Sequence, residues 1–191
     1  VTAPWGPYPV LPTIGGTGHR PARPDDPHPP PDRLTSDELD WLRRELTALV
    51  YRLRDYCGTT DGRSGLAPGV DTVLADVFLD AGLRLHADCP GPWQANTWPA
   101  DAQAHWRDLR AAAGPRLHDY GDAHYDVRAY DARNRGLIVG SDAFVTCLRP
   151  GVRGGGTWRC VQMLRRMRPD MLVWRFDPST CTVADPPPRL F

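Results

Sequence analysis

The sequence predicts an α/β fold, a mostly parallel sheet with helices on both faces. Short apolar runs of strand length alternate with longer segments of helical periodicity, from about residue 10 to residue 176. Three small-residue turns, Gly15 to Gly18, Ser64 to Gly69 and Gly154 to Thr157, lie at or near the ends of predicted strands. In open parallel sheets ligands sit at those strand ends, so the three turns are expected to converge on one site. The chain has 191 residues, 41% of them hydrophobic, which is enough for one sizeable core. It is read as a single domain over 1–191, with a proline-rich start, a proline-rich loop over 21–33 and a tail over 177–191.

Val1 to Pro12 is expected to lie extended, with the first strand around Val10 to Ile14. This strand runs into Gly15-Gly16-Thr17-Gly18-His19-Arg20, where small residues let the backbone curl beneath a phosphate or a base. Gly16, Thr17, Gly18, His19 and Arg20 are therefore candidate ligand contacts. A tight turn is the competing reading. A lone loop histidine more often serves a backbone hydrogen bond, which makes Arg20 the better candidate. Thr35 or Ser36 caps the next helix, whose Leu39, Leu42, Leu46, Leu49, Val50 and Leu53 recur at helical spacing up to about Tyr56.

The second turn carries Gly65, a further candidate ligand contact, and leads into a helix from about Val70 to Asp80. Asp71 falls in its first turn, where the helix end stabilises a carboxylate; that accounts for the residue without chemistry, but it also stands as a catalytic candidate. A strand over Leu83 to Ala87 follows, with His86 read as packed or at an edge. Trp93 or Trp98 then either stacks on a base or covers the core. A helix over Asp101 to Ala113 and a short strand over Arg116 to Asp119 precede a helix from Tyr125 to Val139, which delivers Arg133 and Asn134. Asp142 to Leu148 suits a strand covered on both faces. After it, Gly154, Gly155, Gly156 and Thr157 open a helix to Met167, and the backbone N–H groups of such a helix start attract phosphate. Arg133 would add a forked cation. The last strand is Met171 to Phe176.

Composition narrows the chemistry. Formal charge is zero, which disfavours a large nonspecific nucleic-acid surface. All 23 positive side chains are arginine, so neither a Schiff-base lysine nor a P-loop lysine is available. The five cysteines include no close pair, and neither a metal site nor a cofactor is expected. With no signal sequence and no membrane-length apolar run, the expectation is a cytoplasmic protein with no membrane partner.

The set GGTGHRP, SGLAPGVDTVLADVFLDAG, YDARNRGLIVGSDAFV and GGT, in that order, resembles the SLOG superfamily. This is the Rossmann-like group of Lonely Guy phosphoribohydrolases, YpsA-type proteins and the DNA-processing protein DprA. The resemblance implies a small nucleotide-derived ligand between the first glycine turn and the last, with Gly154 to Thr157 as the phosphate loop and Arg133 before it. Lonely Guy enzymes carry a glutamate three residues after the threonine; here that position is Cys160, and the sequence has only two glutamates, Glu38 and Glu45. Cleavage of an N-glycosidic bond would then fall to an aspartate, with Asp71, Asp131 and Asp142 as candidates and Arg133 in support. The expected function is binding of a nucleotide or nucleotide-derived phosphate ligand, as a sensor or processing protein. The alternative is an N-glycosidic hydrolase or transferase acting on a nucleoside 5′-monophosphate or related nucleotide. DprA-like single-stranded DNA binding is disfavoured. Oligomeric state is not legible in the sequence, and the resemblance allows a homodimer.

Overall fold

The computed structural model describes residues 9–22 and 30–185. The start of the proline-rich segment, most of the 21–33 loop and the Pro186 to Pro188 tail lie outside the described residues. The elements in chain order are β1 (Thr13–Gly18), β2 (Arg20–Pro21), β3 (Arg33–Leu34), α1 (Ser36–Cys57), β4 (Asp61–Ser64), α2 (Val70–Asp80), β5 (Arg84–Cys89), α3 (Ala100–Ala113), β6 (Leu117–Asp119), α4 (Val127–Val139), β7 (Ala143–Cys147), α5 (Gly155–Met167), β8 (Leu172–Asp177) and β9 (Thr182–Ala184). Seven strands form one sheet in the order β6-β5-β4-β1-β7-β8-β9. All neighbours in it are parallel except β8 and β9. This is the predicted α/β, Rossmann-like architecture.

Burial follows the alternation of β7. Ala143, Val145 and Cys147 face the larger core, which α1, α2 and α3 cover, whereas Phe144 faces a smaller core with Leu137 and Ile138 of α4 and Cys160 and Leu164 of α5. From β1 the chain steps outward through β4, β5 and β6, then returns to β7 on the other side of β1. The crevice beyond the carboxyl ends of β1 and β7 is thus the topological switch point, where such sheets bind ligands.

Four expectations change. The first strand is displaced toward the carboxyl end: Gly15 to Gly18 belong to β1 itself rather than to a turn, and the bend begins at His19. The glycines are needed for close packing, since a Cβ on Gly16 would overlap Leu74 and one on Gly18 would overlap Val70 of α2. Asp61–Ser64, of which only Ser64 is named above and then as the start of a turn, is a central strand. Its charges are satisfied by β5, with Arg84 and His86 on Asp61 and Asp88 on Arg63. The tail contributes β9, which folds back antiparallel on β8. Trp93 and Trp98 are core and lip supports: Trp93 packs on Tyr125 and Tyr130 and donates to the Asp122 carbonyl, and Trp98 packs on Trp106. The Thr35 cap is confirmed in full, because its hydroxyl accepts from Glu38 N–H while the Glu38 carboxylate accepts from Thr35 N–H.

Gly62, at the middle of the sheet, lies directly against the fully buried Phe78 ring, leaving no room for a Cβ. Gly62→Ala should therefore destabilise the protein by about 1–3 kcal/mol in urea unfolding. A midpoint equal to that of the wild type would show that α2 is not seated this closely on β4.

Candidate functional site

A cavity of about 450 Å³ opens at the switch point. Its wall begins where β1 ends. Thr17 and Gly18 line it, and His19 and Arg20 follow as the chain leaves the sheet into the β2–β3 ribbon. The opposite wall is the start of α5. Gly154 is its N-cap, in extended conformation, with no side-chain cap. Gly155 has φ +80, a conformation that glycine adopts without strain. Added Cβ atoms on Gly154, Gly155 and Gly156 would meet nothing within 4 Å, so this uncapped helix start has open space over it. Its first-turn N–H groups have no intrahelical acceptor, and the helix dipole adds positive potential there. Thr157 does not hold its hydroxyl free: it donates to the Gly18 carbonyl at 2.7 Å and so fixes α5 to the end of β1.

The floor is an ion pair. Arg133 of α4 and Asp71 of α2 are only 7% and 3% exposed, and Arg133 Nη1 donates to Asp71 Oδ2 at 3.1 Å. Burial pushes the Asp71 carboxyl above its ordinary range, and the guanidinium opposes that shift. Gly65 sits behind the pair, where any Cβ would collide with the Arg133 guanidinium; its part is to admit the arginine. Arg133 Nε is buried and has no hydrogen-bond partner among the described residues. Beside it, Asn134 is 3% exposed and lines the cavity. Buried polar groups without partners are uncommon in folded proteins, and at a cavity wall they mark a place for a ligand.

The remaining candidates separate clearly. Asp131 is exposed on the cavity lining. Asp142 belongs to the opposite end of the sheet, where it accepts from Thr13 N–H at the start of β1. Gly16 is buried inside β1 against Leu74 and Val145, behind the cavity wall. His19 lines the cavity, but its Nε2 accepts from Arg149 N–H at 3.0 Å, so the ring is neutral with its proton on Nδ1. Burial lowers its pKa from 6.5 to about 4. Cys160 is fully buried below Thr17, and burial pushes its thiol up to about 12, so it offers no thiolate at neutral pH. Among the described residues no group of three His, Cys, Asp or Glu side chains could hold a metal ion, and no helix is long and apolar enough to cross a membrane.

Among the lining residues that sequence reasoning missed, three could meet a nucleotide. Tyr130 takes the aromatic place that had been given to tryptophan; it sits beside Arg20, and the Arg133 guanidinium lies 5.9 Å from its ring centre. Arg33 and Arg159 also line the cavity. Arg159 was findable, two residues past Thr157 in the first turns of α5. Arg33 was not, because its position depends on the pairing of β2 with β3.

Solved structures of DNA processing protein A share this fold. The protein from Streptococcus pneumoniae is 14% identical with a TM-score of 0.55, matching 88% of this chain and 50% of that one. The protein from Helicobacter pylori, solved to explain its unique single-stranded DNA binding mode, is 15% identical with a TM-score of 0.54, matching 91% of this chain and 71% of that one. The chain thus spans half the length of the pneumococcal protein. No protein-family model matches the sequence, and no curated protein does. At such identities the likeness establishes the Rossmann-like fold.

Two outcomes follow from these environments. Arg133→Ala would leave the Asp71 carboxylate buried and unpaired, at a cost of about 3–5 kcal/mol in urea unfolding. Adding Asp71→Asn should recover part of that loss, and wild-type stability of the single variant would show that the pair is not structural. For His19, the unfolded state takes up a proton near pH 6.5 and the folded state only near pH 4, so its contribution to stability is full above 6.5 and falls as pH drops toward 4. The loss at pH 4.5 should be about 2–3 kcal/mol. His19→Gln, which cannot titrate, should lose that much less on acidification; an equal loss would remove His19 as the cause.

Proposed function

We propose that the protein binds a nucleotide or nucleotide-derived phosphate ligand in this cavity, as a sensor or processing protein. One observation carries the reading. An open, uncapped helix start faces the same 450 Å³ space as Asn134 and the buried Arg133, whose Nε has no partner among the described residues. Phosphate oxygens would accept from the N–H groups of α5, and Asn134 and Tyr130 would meet the remainder of the nucleotide. The order of motifs shared with the SLOG group supports the same assignment.

Binding is better supported than turnover. Breaking an N-glycosidic bond builds positive charge on the sugar and needs a carboxylate near it. Asp71 is already committed to Arg133, and Cys160 is a buried thiol. Hydrolysis would therefore rest on Asp131 or Asp32. A second reading, single-stranded DNA binding, gains from the fold shared with the Helicobacter pylori protein and from Arg20, Arg33 and Arg159 around one cavity.

The test is a panel of nucleotides monitored by thermal unfolding and by chromatography of the mixture. A ligand at about a hundredfold excess over its dissociation constant should stabilise the fold by about 2.7 kcal/mol and be recovered intact. Asn134→Ala and Arg159→Ala should each weaken it several-fold. Free base in the mixture, lost in Asp131→Asn, would favour the hydrolase. Binding of an oligonucleotide alone, falling steeply with salt, would favour the DNA reading. No stabilisation by any nucleotide would end the nucleotide assignment.

A further inference from the structure

The β2–β3 ribbon holds a second set of cations over the same cavity. Arg20 and Arg33 are register partners in this two-stranded parallel pair, and both line the cavity. Register partners project from the same face of a ribbon, and like charges so placed repel. Neutralisation from the protein is slight: among the described residues Arg20 makes no ion pair, and Arg33 has only the half-exposed Asp32 at 3.9 Å. Arg33 is also held in place from behind, since its carbonyl accepts from Arg149 Nη2, which in turn pairs with Glu38. Two arginines side by side with only one long ion pair between them and a carboxylate are arranged to share an anion.

This pair is separate from the helix start. The α5 glycines follow β7, whereas the arginine pair follows β1, and the Thr157 to Gly18 hydrogen bond fixes the two against each other. We infer that the ligand carries two anionic groups. One phosphate sits on the first turn of α5, beside Arg133 and Asn134, and the second sits between Arg20 and Arg33. The ligand class is a doubly phosphorylated or phosphodiester-linked nucleotide, in preference to a nucleoside monophosphate. The inference rests on the nucleotide reading of the cavity and makes it more specific.

Calorimetric titration with adenosine 5′-monophosphate, adenosine 3′,5′-bisphosphate and the 5′-phosphorylated dinucleotide pApA tests it. At least one two-anion probe should bind about tenfold or more tighter than the monophosphate. Arg33→Ala, which keeps the backbone carbonyl used by Arg149, should bring that ratio near one, and Arg33→Lys should restore part of it. Preference for the bisphosphate identifies a free small nucleotide as the source, and preference for pApA identifies consecutive phosphates of a nucleic-acid strand. Equal affinity for all three probes, or an unchanged ratio in Arg33→Ala, overturns the two-anion inference while leaving nucleotide binding standing. Failure of all three to bind removes both.

Discussion

The buried pair of Arg133 and Asp71 is the constraint on which the site depends. It joins the middle of α4 to the first turn of α2, and the end of β4 is drawn into the same knot: Ser64 Oγ donates to the Asp71 carbonyl, and Gln94 Nε2 donates to the Gly65 carbonyl. Two charges out of water are costly, and their mutual attraction offsets that cost only when geometry and extra hydrogen bonds are good. The sequence around them is arranged to that end. Gly65 leaves the space the guanidinium fills, and Asp71 sits at a helix start that favours a carboxylate. The arginine is not fully consumed by its partner. Its Nε remains without one, buried beneath a cavity whose other side is a line of helix-start N–H groups.

That arrangement sorts the chemistry by what each side chain has left to give. Asp71 gives its charge to Arg133, His19 gives its Nε2 lone pair to Arg149 N–H, and Thr157 gives its proton to Gly18. Three residues that a motif comparison would place in direct contact with ligand are thus occupied in holding the walls. The free capacity lies in backbone N–H groups, in the Asn134 amide and in arginines. All of these donate hydrogen bonds, as binding an anion demands; glycosidic cleavage calls for a carboxylate, and only Asp131 and Asp32 add one to the lining.

Periodicity made the helices and β7 readable, because each has an apolar pattern of its own: α1 repeats leucine at helical spacing, and β7 is buried over its whole length. The strand β4 had no such pattern. Asp61 and Arg63 look like loop residues until Arg84, His86 and Asp88 of β5 stand beside them, and a partner strand is information that no local window contains. The glycines of β1 were misread for a related reason. Small residues suit both a turn and a strand crowded by a helix, and the crowding by Val70 and Leu74 comes from residues more than fifty positions away. For the site, the glycine helix start and Arg133 were legible as types of chemistry. Arg33 and Tyr130 were not, since their relevance is set by where ribbon and helix meet.

Net charge says little about the potential inside this crevice, and the distribution of ion pairs explains why. Several arginines remote from the cavity are matched with acids: Arg43 with Asp76, Arg63 with Asp88, Arg84 with Asp61, and Arg110 with Asp119. Such pairs cancel within a few ångströms and contribute little field beyond a Debye length. Around the cavity the matching is incomplete. Arg20 and Arg159 have no ion pair among the described residues, Arg33 has a long one, and the helix start adds its own positive potential. A chain whose formal charge is zero can thus present a locally positive concavity, and it is the local potential that an anionic ligand meets. The neutrality that argued against nucleic acid applies to the molecule as a whole and says little about this one crevice, where a phosphodiester and a small nucleotide would find the same donors.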